Sequence, residues 1–104
     1  MIYLWIVLAV IVVAALAVWL RRAETRLTLS NIKLILEAAG SSLKDVVKCS
    51  VFLADVGDFQ AMNEVYTEFF GDAKPARTTV GCAFALAGLH VEIDCIAFSP
   101  LGKA

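Results

Sequence analysis

One histidine, three cysteines and two prolines among 104 residues leave little material for several kinds of site. The cysteines, Cys49, Cys82 and Cys95, are odd in number and form no CxxC pair. That argues against a disulfide framework and against a zinc site. They read instead as reduced thiols on the apolar faces of strands, packing as small hydrophobes. His90 has none of the partners a metal centre needs and reads as a loop-edge residue. No metal and no cofactor is expected. A basic stripe is missing too: nine Lys and Arg against ten Asp and Glu give a formal net charge of −1. The aromatics do not interleave with cations, so nucleic acid is not an expected partner. A chain of this length supports one small domain at most.

The longest absence is local. Residues 1–20, MIYLWIVLAVIVVAALAVWL, contain no charge, no proline and no glycine. They account for much of the 61% hydrophobic content, and the remainder is about half apolar, as in an ordinary globular domain. As a helix the run spans about 30 Å, enough for a bilayer core. Tyr3, Trp5 and Trp19 stand near its ends, where amphipathic rings favour the headgroups, and Arg21 and Arg22 close it. A secretory signal carries its charge ahead of the apolar run and a small-residue cleavage site behind it. A buried core helix keeps at least one wet face. The reading is a transmembrane helix over 1–22, single-pass, with the domain at 23–104 facing the cytoplasm.

The rest reads as helix, strand, helix, strand, strand, an α+β arrangement with two helices on one face of a sheet. Helix 23–39 turns Leu29, Ile32, Ile35, Leu36 and Ala39 inward, leaves Arg26, Lys33 and Glu37 outside, and ends at Gly40. Strand 46–54 places Val47, Cys49, Val51 and Leu53 on one face. Asp58 reads as the N-cap of helix 59–70, which buries Phe59, Met62, Val65, Tyr66 and Phe69 before Gly71 stops it. Pro75 keeps the next entry extended. In strand 77–84, Thr78, Val80, Cys82 and Phe84 share an apolar face, leaving Arg77 and Thr79 on the polar one. After a turn at 85–89, strand 90–98 sets Val91, Ile93, Cys95 and Ala97 against His90, Glu92 and Asp94. A hairpin around Ala87 pairs Glu92 near Cys82 and Arg77 near Ala97. The two groups then lie roughly 16 Å apart along the strands, and they meet only across an interface between copies.

Arg77 and Glu92 are the residues with chemistry to offer. A guanidinium presents parallel donors to a carboxylate, and a half-buried glutamate is suited to proton transfer. Their ordinary roles are a solvated strand-end arginine and a cross-strand charge. Asp94 reads as a sheet-face charge.

P-A-R at 75–77 followed by V-E-I-D at 91–94 resembles the signature of the YjgF/RidA family of enamine/imine deaminases. The resemblance runs back through N-E-V-Y at 63–66, DVVKCSVFLADVGDF at 45–59 and NIKLILEAAG at 31–40. It implies a RidA-like, chorismate-mutase-like fold, present here as a partial domain. It also implies hydrolysis of 2-imino or 2-enamino acids to 2-keto acids and ammonia, without metal or cofactor. By the same resemblance Arg77 binds the substrate carboxylate, Glu92 directs the water, and Thr79, often cysteine in the family, offers backbone groups. Asn63 is a supporting or substrate-contacting residue. Trimers with pockets between subunits are implied as well. Strands ahead of the first helix, and a tyrosine that walls the pocket, have no match in this sequence. The alternative is a non-catalytic, membrane-anchored module that binds carboxylate metabolites or RidA-like partner subunits.

Overall fold

The computed structural model describes residues 2–99. Residue 1 and residues 100–104, which belong to the expected membrane and 23–104 segments, lie outside the described residues. Helix α1 runs from Ile2 to Ala38, β1 from Val46 to Leu53, α2 from Phe59 to Phe70, β2 from Ala76 to Gly81, and β3 from Val91 to Ala97. Short 3-10 turns at Leu43–Asp45, Val56–Asp58 and Gly71–Ala73 join them.

Helix α1 carries the apolar run straight into the domain. A single helix of 37 residues replaces a span and a separate helix, because nothing between Leu20 and Ala23 interrupts helical geometry. Its apolar half is exposed along its length, and the whole molecule measures 66 × 28 × 21 Å. That half is therefore not a core helix. By length and composition, with a mean hydropathy of 2.8 over its best window, it is able to cross a bilayer.

The second half of α1 packs on α2 and β3. Thr25 and Leu29 are fully buried, with Ile32 and Leu36 beside them one and two turns on. The Thr25 hydroxyl donates to the Arg21 carbonyl at 2.9 Å, which lets a polar group sit inside. Ile35 and Ala39 point outward, contrary to expectation, since the buried stripe is carried by Thr25 and Thr28 as well as the aliphatics. Gly40 ends the helix at φ 78°, and the Ser41 N–H donates back to Leu36 O at 2.8 Å.

The sheet order is β2-β1-β3, with β1 parallel to β2 and antiparallel to β3. The expected β2–β3 hairpin is wrong. Strand β1, formed earlier in the chain, inserts between them and is the most buried of the three. Its Val46, Cys49, Val51 and Leu53 face the helices. A register shift between Val46 and Lys48 turns Val47 out, where alternation alone had put it inside. Residues 82–90 cross the end of β1 to reach β3. Gly81 permits this close approach, because a Cβ there would lie 2.6 Å from Val56 Cγ1.

Both helices cover one face, as expected. On α2, Met62, Val65, Tyr66 and Phe70 are buried, whereas Phe59 is exposed and Phe69 only partly covered. Asp58 precedes the helix but makes no side-chain cap. Its carboxylate instead meets Arg21 Nε at 3.3 Å. The other sheet face, with Lys48, Ser50, Phe52, Thr78, Val80, Glu92 and Asp94, has no element over it among the described residues.

Candidate functional site

Strand β2 is inverted relative to its apolar pattern. Thr78, Val80 and Cys82 face the uncovered side, while Arg77 and Thr79 turn toward α2. The register explains it. Arg77 is level with Cys49 and Thr79 with Val51, and both of those point into the core. Cys82 is correspondingly exposed, not buried as expected.

Arg77 enters a ready-made cradle. Asn63, Tyr66 and Phe70 recur at i, i+3 and i+7 along α2 and so share a face. Asn63 Oδ1 accepts from Arg77 Nη1 at 2.6 Å. The guanidinium carbon lies 4.6 Å from the Tyr66 ring centroid and 5.5 Å from that of Phe59. Tyr66 in turn packs on Phe70, with centroids 4.5 Å apart. One hydrogen bond and two rings orient the guanidinium, and its remaining N–H groups have no partner among the described residues. The pocket beside it holds about 280 Å³ and is lined by Asn63, Tyr66, Phe70, Lys74 and Pro75, among others. Lys74 supplies a second cation from a left-handed backbone position, φ 38°. Tyr66 and Lys74 were missed as site residues. The helical spacing of Tyr66 from Asn63 was the available signal for the first, and none existed for the second.

Beneath this cradle lie buried polar groups. The Tyr66 hydroxyl is buried beside the Cys49 thiol, at a geometry too poor for a hydrogen bond. Burial first, and the thiol second, push the phenol well above its ordinary range. Burial likewise raises Cys49 and Cys95, which stand opposite each other on β1 and β3. These groups are neutral at physiological pH, so they contribute shape and not charge. The Thr79 hydroxyl is also buried without a partner among the described residues.

Glu92 is elsewhere. It is level with Phe52, three positions along β1 from Cys49, and it projects from the uncovered face. Among the described residues it makes no hydrogen bond or ion pair. Thus the structure gathers Arg77, Asn63 and, on the same face, Thr79, and leaves Glu92 out. His90 is tied to α1: its backbone N–H donates to Glu24 Oε1 at 3.1 Å, and Nδ1 lies 3.2 Å from Glu24 Oε2. Among the described residues no three His, Cys, Asp or Glu side chains gather as a metal site requires.

The chain as a whole has relatives among known proteins. Residues 16–99 match the family described as endoribonuclease L-PSP. A RutC family protein of Pyrococcus horikoshii is 52% identical over 75 residues, 72% of this chain and 60% of that protein. The 2-iminobutanoate/2-iminopropanoate deaminase of Dermatophagoides farinae is 41% identical over 75 residues, 72% of this chain and 59% of that enzyme. Among solved structures, a Mycobacterium tuberculosis member of the YjgF/YER057c/UK114 family superposes with a TM-score of 0.69 at 33% identity, covering 71% of this chain and 64% of that one. The chain thus spans about 60% of the length of the curated relatives it matches.

Proposed function

The chain belongs to the endoribonuclease L-PSP family, which includes the YjgF proteins, and from that premise we propose that it hydrolyses 2-imino acids to 2-keto acids and ammonia. The observation that carries the reading is Arg77, held by Asn63 over Tyr66 at the edge of an open pocket sized for a small carboxylic acid. The free N–H groups of Arg77 take the substrate carboxylate, and Lys74 adds positive potential at the mouth. Water adds to the C=N carbon. The resulting carbinolamine collapses as its nitrogen, protonated, leaves as ammonia and the carbonyl forms. Glu92 of a second copy accepts the proton of the attacking water and hands it to the carbinolamine nitrogen, which leaves as ammonia as the hydroxyl proton is released and Glu92 returns to its carboxylate form. Asn63 fixes the plane of the guanidinium, and Thr79 backbone groups hold the substrate's other end. Support at the level of reaction type comes from the deaminase of Dermatophagoides farinae. The family's description as endoribonucleases is not carried over, because two cations make no track for a phosphate backbone.

The active form is an oligomer, a trimer, in which the uncovered sheet face of one copy meets the Arg77 edge of another. Residues 2–20 of α1 cross the membrane once, with Arg21 and Arg22 on the cytoplasmic side. A second reading is a membrane-anchored module that binds carboxylate metabolites or partner subunits without turnover, which needs only the Arg77 side of the pocket.

The test is direct. 2-Iminobutanoate is generated in situ with the full chain in detergent or vesicles, and 2-oxobutanoate release is timed against the uncatalysed rate. Acceleration abolished by Arg77→Ala supports hydrolysis. A folded chain that binds 2-oxobutanoate without acceleration favours the binding module.

A further inference from the structure

The two ends of the sheet differ in chemistry. At the end where β1 starts and β2 is entered, the turns carry Lys44, Asp45, Asp72 and Lys74. At the other end, residues 82–89 read CAFALAGL, with no charge at all. Leu86 there is 67% exposed and Leu89 39%, and Val56 in the neighbouring turn is 68% exposed. An uncharged connection presenting isolated leucines to water has no role in the packed core of this chain.

This apolar end is also where α1 enters the domain. Arg21 meets Asp58, and Glu24 meets both the backbone and the ring of His90, the residue just after the connection. Because α1 is unbroken, Glu24 stands only about 4.5 Å along the axis from Arg21. The end of the apolar half and the apolar connection are therefore at nearly the same level. Among the acidic groups of this end, Asp58 and Glu24 are engaged as above, Glu64 pairs with Arg22, and Asp55 accepts from the Gly57 N–H at 2.8 Å, while Glu92, at the start of β3, projects from the uncovered sheet face.

We propose that residues 83–89, with Val56, form a second membrane contact that rests in the headgroup region beside the exit of α1. The inference depends on the reading of residues 2–20 as a membrane span. The occupant is lipid, because the helix that fixes this end at the bilayer leaves no linker by which the connection could swing away. Exposed leucines at such a boundary bury their side chains in the outermost part of the acyl region. The contact gives the domain two points of attachment.

The test uses the full chain in phosphatidylcholine vesicles with brominated acyl chains, which quench indole by contact. Three single-tryptophan forms are compared. One keeps Trp5 with Trp19→Phe; the others carry Trp5→Phe and Trp19→Phe with either Leu86→Trp or Lys44→Trp. Val56→Trp in the same background is a second probe of the contact should Leu86→Trp fold poorly. The expected result is loss of Trp5 emission with bromine deep in the chains, loss of the Leu86→Trp signal with bromine near the carbonyls, and no loss for Lys44→Trp. Quenching at Trp5 without quenching at positions 86 and 56 overturns the second contact and leaves the span intact. A blue-shifted but unquenched indole at position 86 overturns it in favour of a protein partner. No quenching at Trp5 overturns the span, and the inference with it.

Discussion

Arg77 and Glu92 stand on the two outer strands of one sheet and project from opposite faces of it. Arg77 is level with Cys49 and Glu92 with Phe52, and an odd number of steps along β1 separates those two positions. No rotamer brings the two side chains together within one chain. A reaction that uses both takes one from each of two copies.

That geometry makes a quantitative forecast. On the proposed mechanism Arg77→Lys keeps the charge but loses the bidentate fork, and Glu92→Gln loses the base. Each alone lowers deaminase activity at least tenfold, since charge-assisted hydrogen bonds are worth about 1.5–3 kcal/mol. When the two variants are mixed one to one, unfolded and co-assembled, about a quarter of the pockets regain both native groups. Recovery of activity toward that fraction is the expected outcome. No recovery, in a mixture shown to contain mixed oligomers, sinks the shared site.

Asn63→Ala removes the acceptor that orients Arg77 without touching the charge. The expected effect is a rise in KM of roughly tenfold for an anionic substrate, from a bond to a charged group of about 1.5 kcal/mol. The rate at saturation changes less, because Asn63 acts through Arg77. A fall in kcat at unchanged KM contradicts this role.

Gly81→Ala tests the crossing at the end of β1. The new methyl group collides with Val56 Cγ1, and forced repacking of this kind costs about 1–3 kcal/mol. Val56 is exposed in a turn, so the low end applies. Val56→Ala in the same chain removes the clash, and the double variant regains most of the lost Tm. Equal losses in single and double variants show that something other than this contact is at fault.

The buried thiols set an alkaline limit. Cys49 and Cys95 are raised above the ordinary value of 9.0 because burial disfavours the thiolate. Their contribution to stability is whole below pH 9 and is lost as the pH climbs through the folded-state values, where the unfolded chain has already released its protons. Tyr66 acts in the same sense from above its ordinary value of 10.0. Thermal unfolding measured from pH 7 to 10.5 therefore shows a flat Tm and then a decline. Cys95→Ala makes that decline shallower, and an unchanged slope removes Cys95 from the account.

Much of this was legible in the residues. The motif at 75–77 and 91–94 marked the two strands that carry Arg77 and Glu92. Val91 and Ile93 alternated truthfully with Glu92 and Asp94, because β3 has one covered face and one bare one. The failures share a cause. Alternation tells which residues share a face but not which face is covered, and on β2 the register with β1 decided that Arg77, not Val80, turns to the helices. The false hairpin came from treating neighbours in sequence as neighbours in the sheet. A bulge of one residue moved Val47 out. The cradle formed by Tyr66 could be recovered from helical spacing, whereas the left-handed Lys74 gave no warning.

The unbroken course of α1 means that its two halves share one rotational phase. Each residue added to an α-helix turns everything beyond it by roughly 100° and advances it by about 1.5 Å. The compass bearing of the Arg77 pocket about the helix axis is thereby written in the count of residues between Trp19 and Thr25. One residue inserted after Arg22 swings the pocket more than a quarter of a circle and carries the leucines of the β2–β3 connection round with it. Seven residues restore the bearing to within about 20° while lifting the domain by about 10 Å.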